Sequence, residues 1–167
     1  MEGFATWLDA TPLSTALKAN FWVVPSLQSI HILAIGLVFT SAFIVALRAW
    51  NLIGADWTPS QWARRLYPPH WWGLLALLVT GILQALAEPT RDFPNPAFQL
   101  KMLLVLIAVP IALWMTRQFY MRDPGPAAAA GSGVASIAPG ILLRAASVVV
   151  VVLWIAIIFL GRWIAYI

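Results

Sequence analysis

Residues 21–48 read FWVVPSLQSIHILAIGLVFTSAFIVALR, and no Asp, Glu, Lys or Arg occurs between Lys18 and Arg48. A helix needs about 18 or more apolar residues to cross a hydrocarbon core of ~30 Å. This stretch exceeds that length and holds one ionisable group, His31, which is one of only 2 histidines in the chain. Three further windows are free of charge: Trp71 to Ala87, Met102 to Thr116 and Ala145 to Gly161. They reach spanning length once end residues such as Lys101 and Arg162 lay their stems along the apolar surface and keep their charges at its edge. The pattern predicts an all-α integral membrane protein, a bundle of four transmembrane helices over about 22–48, 70–87, 97–118 and 141–164.

Composition supports this. The chain has 167 residues, 62% hydrophobic and 10% charged, whereas an ordinary soluble domain carries roughly a quarter charged residues. The four spans take most of the length and leave no room for a separate soluble catalytic domain. The net charge is +4, but the basic residues stand singly or in pairs at the ends of apolar runs, as topological anchors rather than a phosphate-binding stripe. Nucleic acid is not an expected partner. There is no Cys, which removes disulfides, iron–sulfur clusters and thiolate metal sites. Glu2 stands where a signal peptide would be basic, so the first span is expected to be retained.

Between the spans the punctuation is clear. Thr11-Pro12 is a helix start, a capping hydroxyl followed by proline at the first helical position, and predicts a short interfacial helix over 12–19. Thr58-Pro59 and Pro68-Pro69 bracket a second one, expected to lie on the membrane surface over 59–67. Residues 123–140 (DPGPAAAAGSGVASIAPG) read as a flexible linker. Counting Lys and Arg, the first and third connectors hold Arg48, Arg64, Arg65, Arg117, Arg122 and Arg144, and the other side holds Lys18, Arg91, Lys101 and Arg162. The bias puts the connectors inside and both termini outside.

Polar residues inside the spans form one cluster. Gly73, Thr80, Gly81, Gln84 and Glu88 fall on one side of the second helix, and Gln28 and His31 share a face of the first at i, i+3. His31 lies on the order of 9 Å below the outer end at 1.5 Å per residue, and the antiparallel second helix brings Thr80 and Gln84 to similar depth. Met102 enters at that level on the third span, with Glu88, Arg91, Lys101 and Arg162 above. Three readings follow. His31 is a hydrogen-bonded core residue joining helices and no cofactor is bound. Or it is an axial ligand of a b-type haem whose propionates meet Arg91, Lys101 or Arg162. Or His31 and Met102 hold copper, the imidazole and thioether suiting Cu(I). His70 is about 15 Å away in depth if the spans fill a ~30 Å core, too far to ligate the same iron, and reads as an interfacial anchor beside Trp71 and Trp72. No Ser/His/Asp set, buried carboxylate pair or phosphate loop is present, so the chain is not expected to be an enzyme on its own.

Three segments carry a resemblance: Trp22-Val23-Val24-Pro25 with Gln28-Ser29-Ile30-His31-Ile32-Leu33 and Leu47-Arg48; Thr80-Gly81 leading to Glu88-Pro89-x-Arg91; and Asn95-Pro96-Ala97-Phe98-x-Leu100-Lys101-Met102. Together they resemble a family of small, functionally uncharacterised four-helix bacterial inner-membrane proteins. The resemblance implies a multi-pass bacterial inner-membrane protein, in which the outside termini of the Lys and Arg count would be periplasmic, and it singles out Gln28, His31, Glu88, Arg91 and Lys101. In architecture alone the plan is similar to copper-resistance D-type membrane proteins and small membrane cytochromes b. The resulting expectation is a membrane subunit or accessory protein of a periplasm-facing redox or metal-handling system, in contact with lipid and with a protein partner or further copies of itself.

Overall fold

The computed structural model describes residues 2–54, 59–121, 140–164 and 166. Helices account for nearly all of them, and no strand occurs among the described residues. In chain order they are α1 Glu2–Asp9, α2 Pro12–Ala19, α3 Val23–Ala49, α4 Pro59–Ala87, α5 Pro89–Asp92, α6 Pro96–Met121 and α7 Ile141–Trp163. Four of them are long and apolar enough to cross a membrane: Val23–Ala49, Arg64–Ala87, Pro96–Phe119 and Ile141–Trp163. The chain is therefore a multi-pass membrane protein, as the charge-free windows predict.

Local chemistry sets the ends. Thr11 caps α2 by accepting from the Ser14 amide at 3.3 Å, with Pro12 at the first position. Asn95 does the same for α6, its Oδ1 accepting from the Ala97 amide at 2.9 Å. α3 stops at Asn51, whose φ of 57° is left-handed. There the Leu52 amide bonds the Leu47 carbonyl and the Asn51 amide bonds that of Arg48, a Schellman closure in which Asn replaces the commoner Gly. Arg48 Nη1 donates to Asn51 Oδ1 at 2.6 Å and holds that turn.

One expectation is corrected here. Pro68-Pro69 does not end a surface helix: α4 runs unbroken from Pro59 to Ala87 through both prolines. Their missing N–H groups remove only two ladder bonds, and membrane helices tolerate such breaks where neighbours re-satisfy the backbone. Leu66 and Tyr67, on the turn before the prolines, border the same cavity as residues of α3 and α6, so that turn faces the bundle. The N-terminal stretch before Thr11 is also helical, as α1, and the proline-rich connector after Glu88 contains the single turn α5. The linker read over 123–140 lies outside the described residues except for Gly140, which precedes α7.

α3 packs most extensively on α4 and also on α7, and α7 packs on α6. α4 and α6 meet more sparingly, so α3 and α6 stand diagonally across the bundle. The core comprises Val38, Ala108, Met115, Phe119, Leu143, Val150, Trp154 and Ile157. At one end Trp50 Nε1 donates to the Arg144 carbonyl at 3.3 Å while the Arg144 guanidinium lies 5.9 Å from its ring, joining α3 to α7. The three short helices gather at the other end: α2 lies on α3 and α4, and α1 lies on α5. Phe4 meets Phe93 edge-on at 5.8 Å, and Phe93 meets Phe98 at 5.7 Å.

Candidate functional site

The seam between α3 and α4 holds the polar cluster. His31 Nδ1 stands 2.7 Å from Thr80 Oγ1, and Thr80 Oγ1 stands 2.6 Å from the Ala76 carbonyl oxygen. A hydroxyl has one proton, and a carbonyl oxygen can only accept. Both short contacts are satisfied when Thr80 donates to Ala76 and accepts from His31. That arrangement puts the imidazole proton on Nδ1 and leaves a lone pair on Nε2. Thr80 is 5% exposed, so water does not compete for the bond. Gly81 faces the ring, and a Cβ there would come into van der Waals contact with His31 Cε1 at 3.4 Å. One turn on, Gln84 Nε2 reaches the Leu27 carbonyl at 3.4 Å and ties the same two helices again.

Charged groups rim this end. Arg91 pairs with Glu88 and also with Asp92, the latter at 3.1 Å from Nε. Asp92 is buried. Burial pushes its carboxyl above the ordinary carboxylate range, opposed by the adjacent Arg91 and by Lys101. Lys101, half-buried, comes from α6 and lies against α7 where Gly161 has no side chain: a Cβ there would be 3.7 Å from Nζ. Arg162 is engaged elsewhere, with Nη2 donating to the Tyr166 hydroxyl at 2.6 Å.

The structure thus brings His31 and Thr80 into direct contact, sets Gln84 beside them, and gathers Arg91 and Lys101 around Asp92 on the rim. It does not bring Gln28 or Met102 into the seam. Gln28 is exposed on α3. Met102 is 42% exposed on α6, the helix diagonal to α3. Among the described residues no three His, Asp or Glu side chains stand where they could hold one metal ion.

Two features escaped the sequence reading. Asp92 follows Arg91 directly and lies one turn after Glu88, and that spacing was the available signal for the rim cluster. The other is His70. Because α4 begins at Pro59, His70 lies eleven residues inside the helix, roughly 16 Å along it. It borders a cavity between the helices. His70 thus stands within α4 rather than at its start, where the sequence reading set it.

No curated protein and no solved structure matches the chain. The family described as "Family of unknown function (DUF6644)" matches residues 6–167. That match covers α2 to α7 and the second half of α1, and the chain belongs to this family.

Proposed function

We propose that the chain is a membrane subunit or accessory protein of a redox system, and that His31 serves as an axial ligand to a b-type haem. The observation that carries this reading is the pair of short contacts at Thr80, to His31 Nδ1 and to the Ala76 carbonyl, which assign the imidazole proton to Nδ1. An imidazole that donates Nδ1–H to a fixed acceptor has its orientation and tautomer set and its Nε2 lone pair available, which is how ligating histidines are held. Lys101 and Arg91 on the rim suit the propionates. The chain would work with a partner rather than as an enzyme alone. By its Lys and Arg distribution, the His31 end faces the periplasm of a bacterial inner membrane. A cofactor-free role as a structural subunit also has an observation in its favour. The His31–Thr80 and Gln84–Leu27 contacts both cross from α3 to α4 and would join the helices with no ligand present. Copper on His31 and Met102 would require Met102 to turn inward from its exposed position.

The absorption spectrum separates these. Protein purified from haem-sufficient cells is expected to show a Soret band that shifts on reduction, and His31→Ala is expected to lose it. Thr80→Val should keep the fold and weaken haem retention about 10- to 100-fold, the usual effect of removing a ligand's hydrogen-bond partner. It should also raise the midpoint potential, because the Nδ1–H bond makes the ligand more basic and favours oxidised iron. A colourless preparation, with His31→Ala changed only in stability, would leave the structural role. Orientation is read separately, with single cysteines at the exposed positions Ala16 and Leu52. A membrane-impermeant thiol reagent applied from the periplasm should label only the first, and labelling of both from one side would defeat the topology.

A further inference from the structure

In the half of the bundle away from His31, all four spanning helices border a cavity of about 40 Å³. One water needs roughly 10–15 Å³ of such space, so the cavity admits about three waters or one small ion. It is too small for haem. Its wall is apolar apart from Ser41, Tyr67, His70 and Thr116, with the Met115 thioether among them, and it contains no carboxylate. The Ser41 hydroxyl donates to the Leu37 carbonyl at 2.8 Å and the Thr116 hydroxyl donates to that of Ala112 at 2.8 Å. Their protons are committed, and what they have left to offer is lone pairs. A neutral imidazole has one N–H and one lone pair, so the His70 ring that borders the cavity can present a nitrogen lone pair to it.

The lone pairs that Ser41, His70, Met115 and Thr116 contribute to the wall favour a cation. The kind of cation follows from the donors. Imidazole and thioether are the ligands that suit Cu(I), whereas Mg, Ca and Mn suit carboxylates, carbonyls and water. Low charge is also required. The desolvation penalty of an ion in an apolar interior is several kcal/mol or more, it grows as the square of the charge, and no anionic side chain in the wall offsets it. We propose that this cavity is a site for a soft monovalent cation, Cu(I) or its redox-silent analogue Ag(I), held between the His70 imidazole and the Met115 thioether. The assignment is independent of haem at His31. The chain's other histidine and the buried Met115 border one cavity, so the imidazole and thioether types that the sequence suggested at His31 and Met102 also occur together here.

The test uses the full chain in detergent, anaerobic and reduced, with Cu(I) partitioned against a chromophoric Cu(I) chelator. One equivalent of Cu(I) is expected to be retained. His70→Gln and Met115→Leu should each weaken it at least tenfold, and His31→Ala and Met102→Leu should leave it unchanged. X-ray absorption of the copper-loaded wild type should show nitrogen and sulfur ligands, with the sulfur contribution lost in Met115→Leu, a substitution of similar volume chosen to preserve packing. If His70→Gln does not insert, Met115→Leu and the absorption signature decide alone. Failure of the wild type to retain Cu(I), or retention unchanged in Met115→Leu, overturns the proposal. Loss in His31→Ala or Met102→Leu, with Met115→Leu unaffected, overturns it as well and returns copper to the other histidine.

Discussion

Trp154→Ala is expected to lower the stability of the bundle by about 3 kcal/mol, among the largest effects of any single substitution in this chain. Trp154 is 2% exposed and lies in the central core with Val150 and Ile157 of its own helix and Met115 of α6. The physics differs from that of a soluble core. Lipid tails are about as apolar as the protein interior, so little of the loss comes from moving apolar surface out of water. What remains is the void. Trp and Ala differ by roughly 140 Å³, and an unrelaxed cavity costs about 24 cal/mol per Å³, which gives ~3 kcal/mol. No hydrogen bond is lost with it, because the indole Nε1 is buried without a hydrogen-bond partner. Trp154→Phe should therefore be far milder, keeping most of the volume and removing an unsatisfied donor. Reversible unfolding in mixed micelles measures both. A loss below about 1 kcal/mol for the alanine variant would show that the neighbours collapse into the space.

The second large effect is expected at Gly73, where α3 and α4 approach most closely among the glycines of the seam. A Cβ there would lie 2.6 Å from Val38 Cγ2 and 3.5 Å from the Ala34 carbonyl oxygen. Val38 is completely buried and β-branched, so it has no space to swing into. Gly73→Val must push the two helices apart, and overpacking of this kind costs about 1–3 kcal/mol. Because the same seam carries the His31–Thr80 bond, the variant should also weaken haem retention. Val38→Ala is expected to rescue most of the loss in Gly73→Ala, a coupling that a double-mutant cycle reads directly. Gly36→Ala serves as the control, since nothing lies within 4 Å of a Cβ at that position. Equal effects at Gly73 and Gly36 would refute the close-packing account.

Depth was legible in the sequence and rotation was not. Charge-free length located the four spans, and a rise of 1.5 Å per residue on antiparallel helices was enough to set Thr80 and Gln84 level with His31. The direction in which each side chain turns is a different matter. In water the apolar stripe of a helix marks its buried face, but here the outer faces meet lipid and are equally apolar, so α3 and α6 carry no such mark. Gln28 and Met102 were assigned to the cluster by depth alone, and both side chains are exposed. His70 was misread for another reason. The rule that tandem prolines stop a helix moved the start of the second span down to residue 70, whereas the helix runs through both prolines with Leu66, Tyr67 and His70 bordering one cavity. Asp92 was hidden because its significance depends on burial, which its neighbours in the sequence do not reveal.

The packing of α3 against α7 has a consequence for biogenesis. The face of α3 that carries Val38 and Ala42 shares its core with Val150 and Trp154, residues synthesised more than a hundred positions later. The first helix must therefore wait in the bilayer, already inserted, until the last one arrives. In water an unpaired apolar face would invite aggregation during such a delay. In lipid the face is solvated meanwhile, and the hydrocarbon acts as a holding solvent for a half-assembled chain. Closure of the bundle is thus a late, long-range event, and a chain stopped before residue 141 should persist as inserted but loosely packed helices that a protease can distinguish from the finished protein.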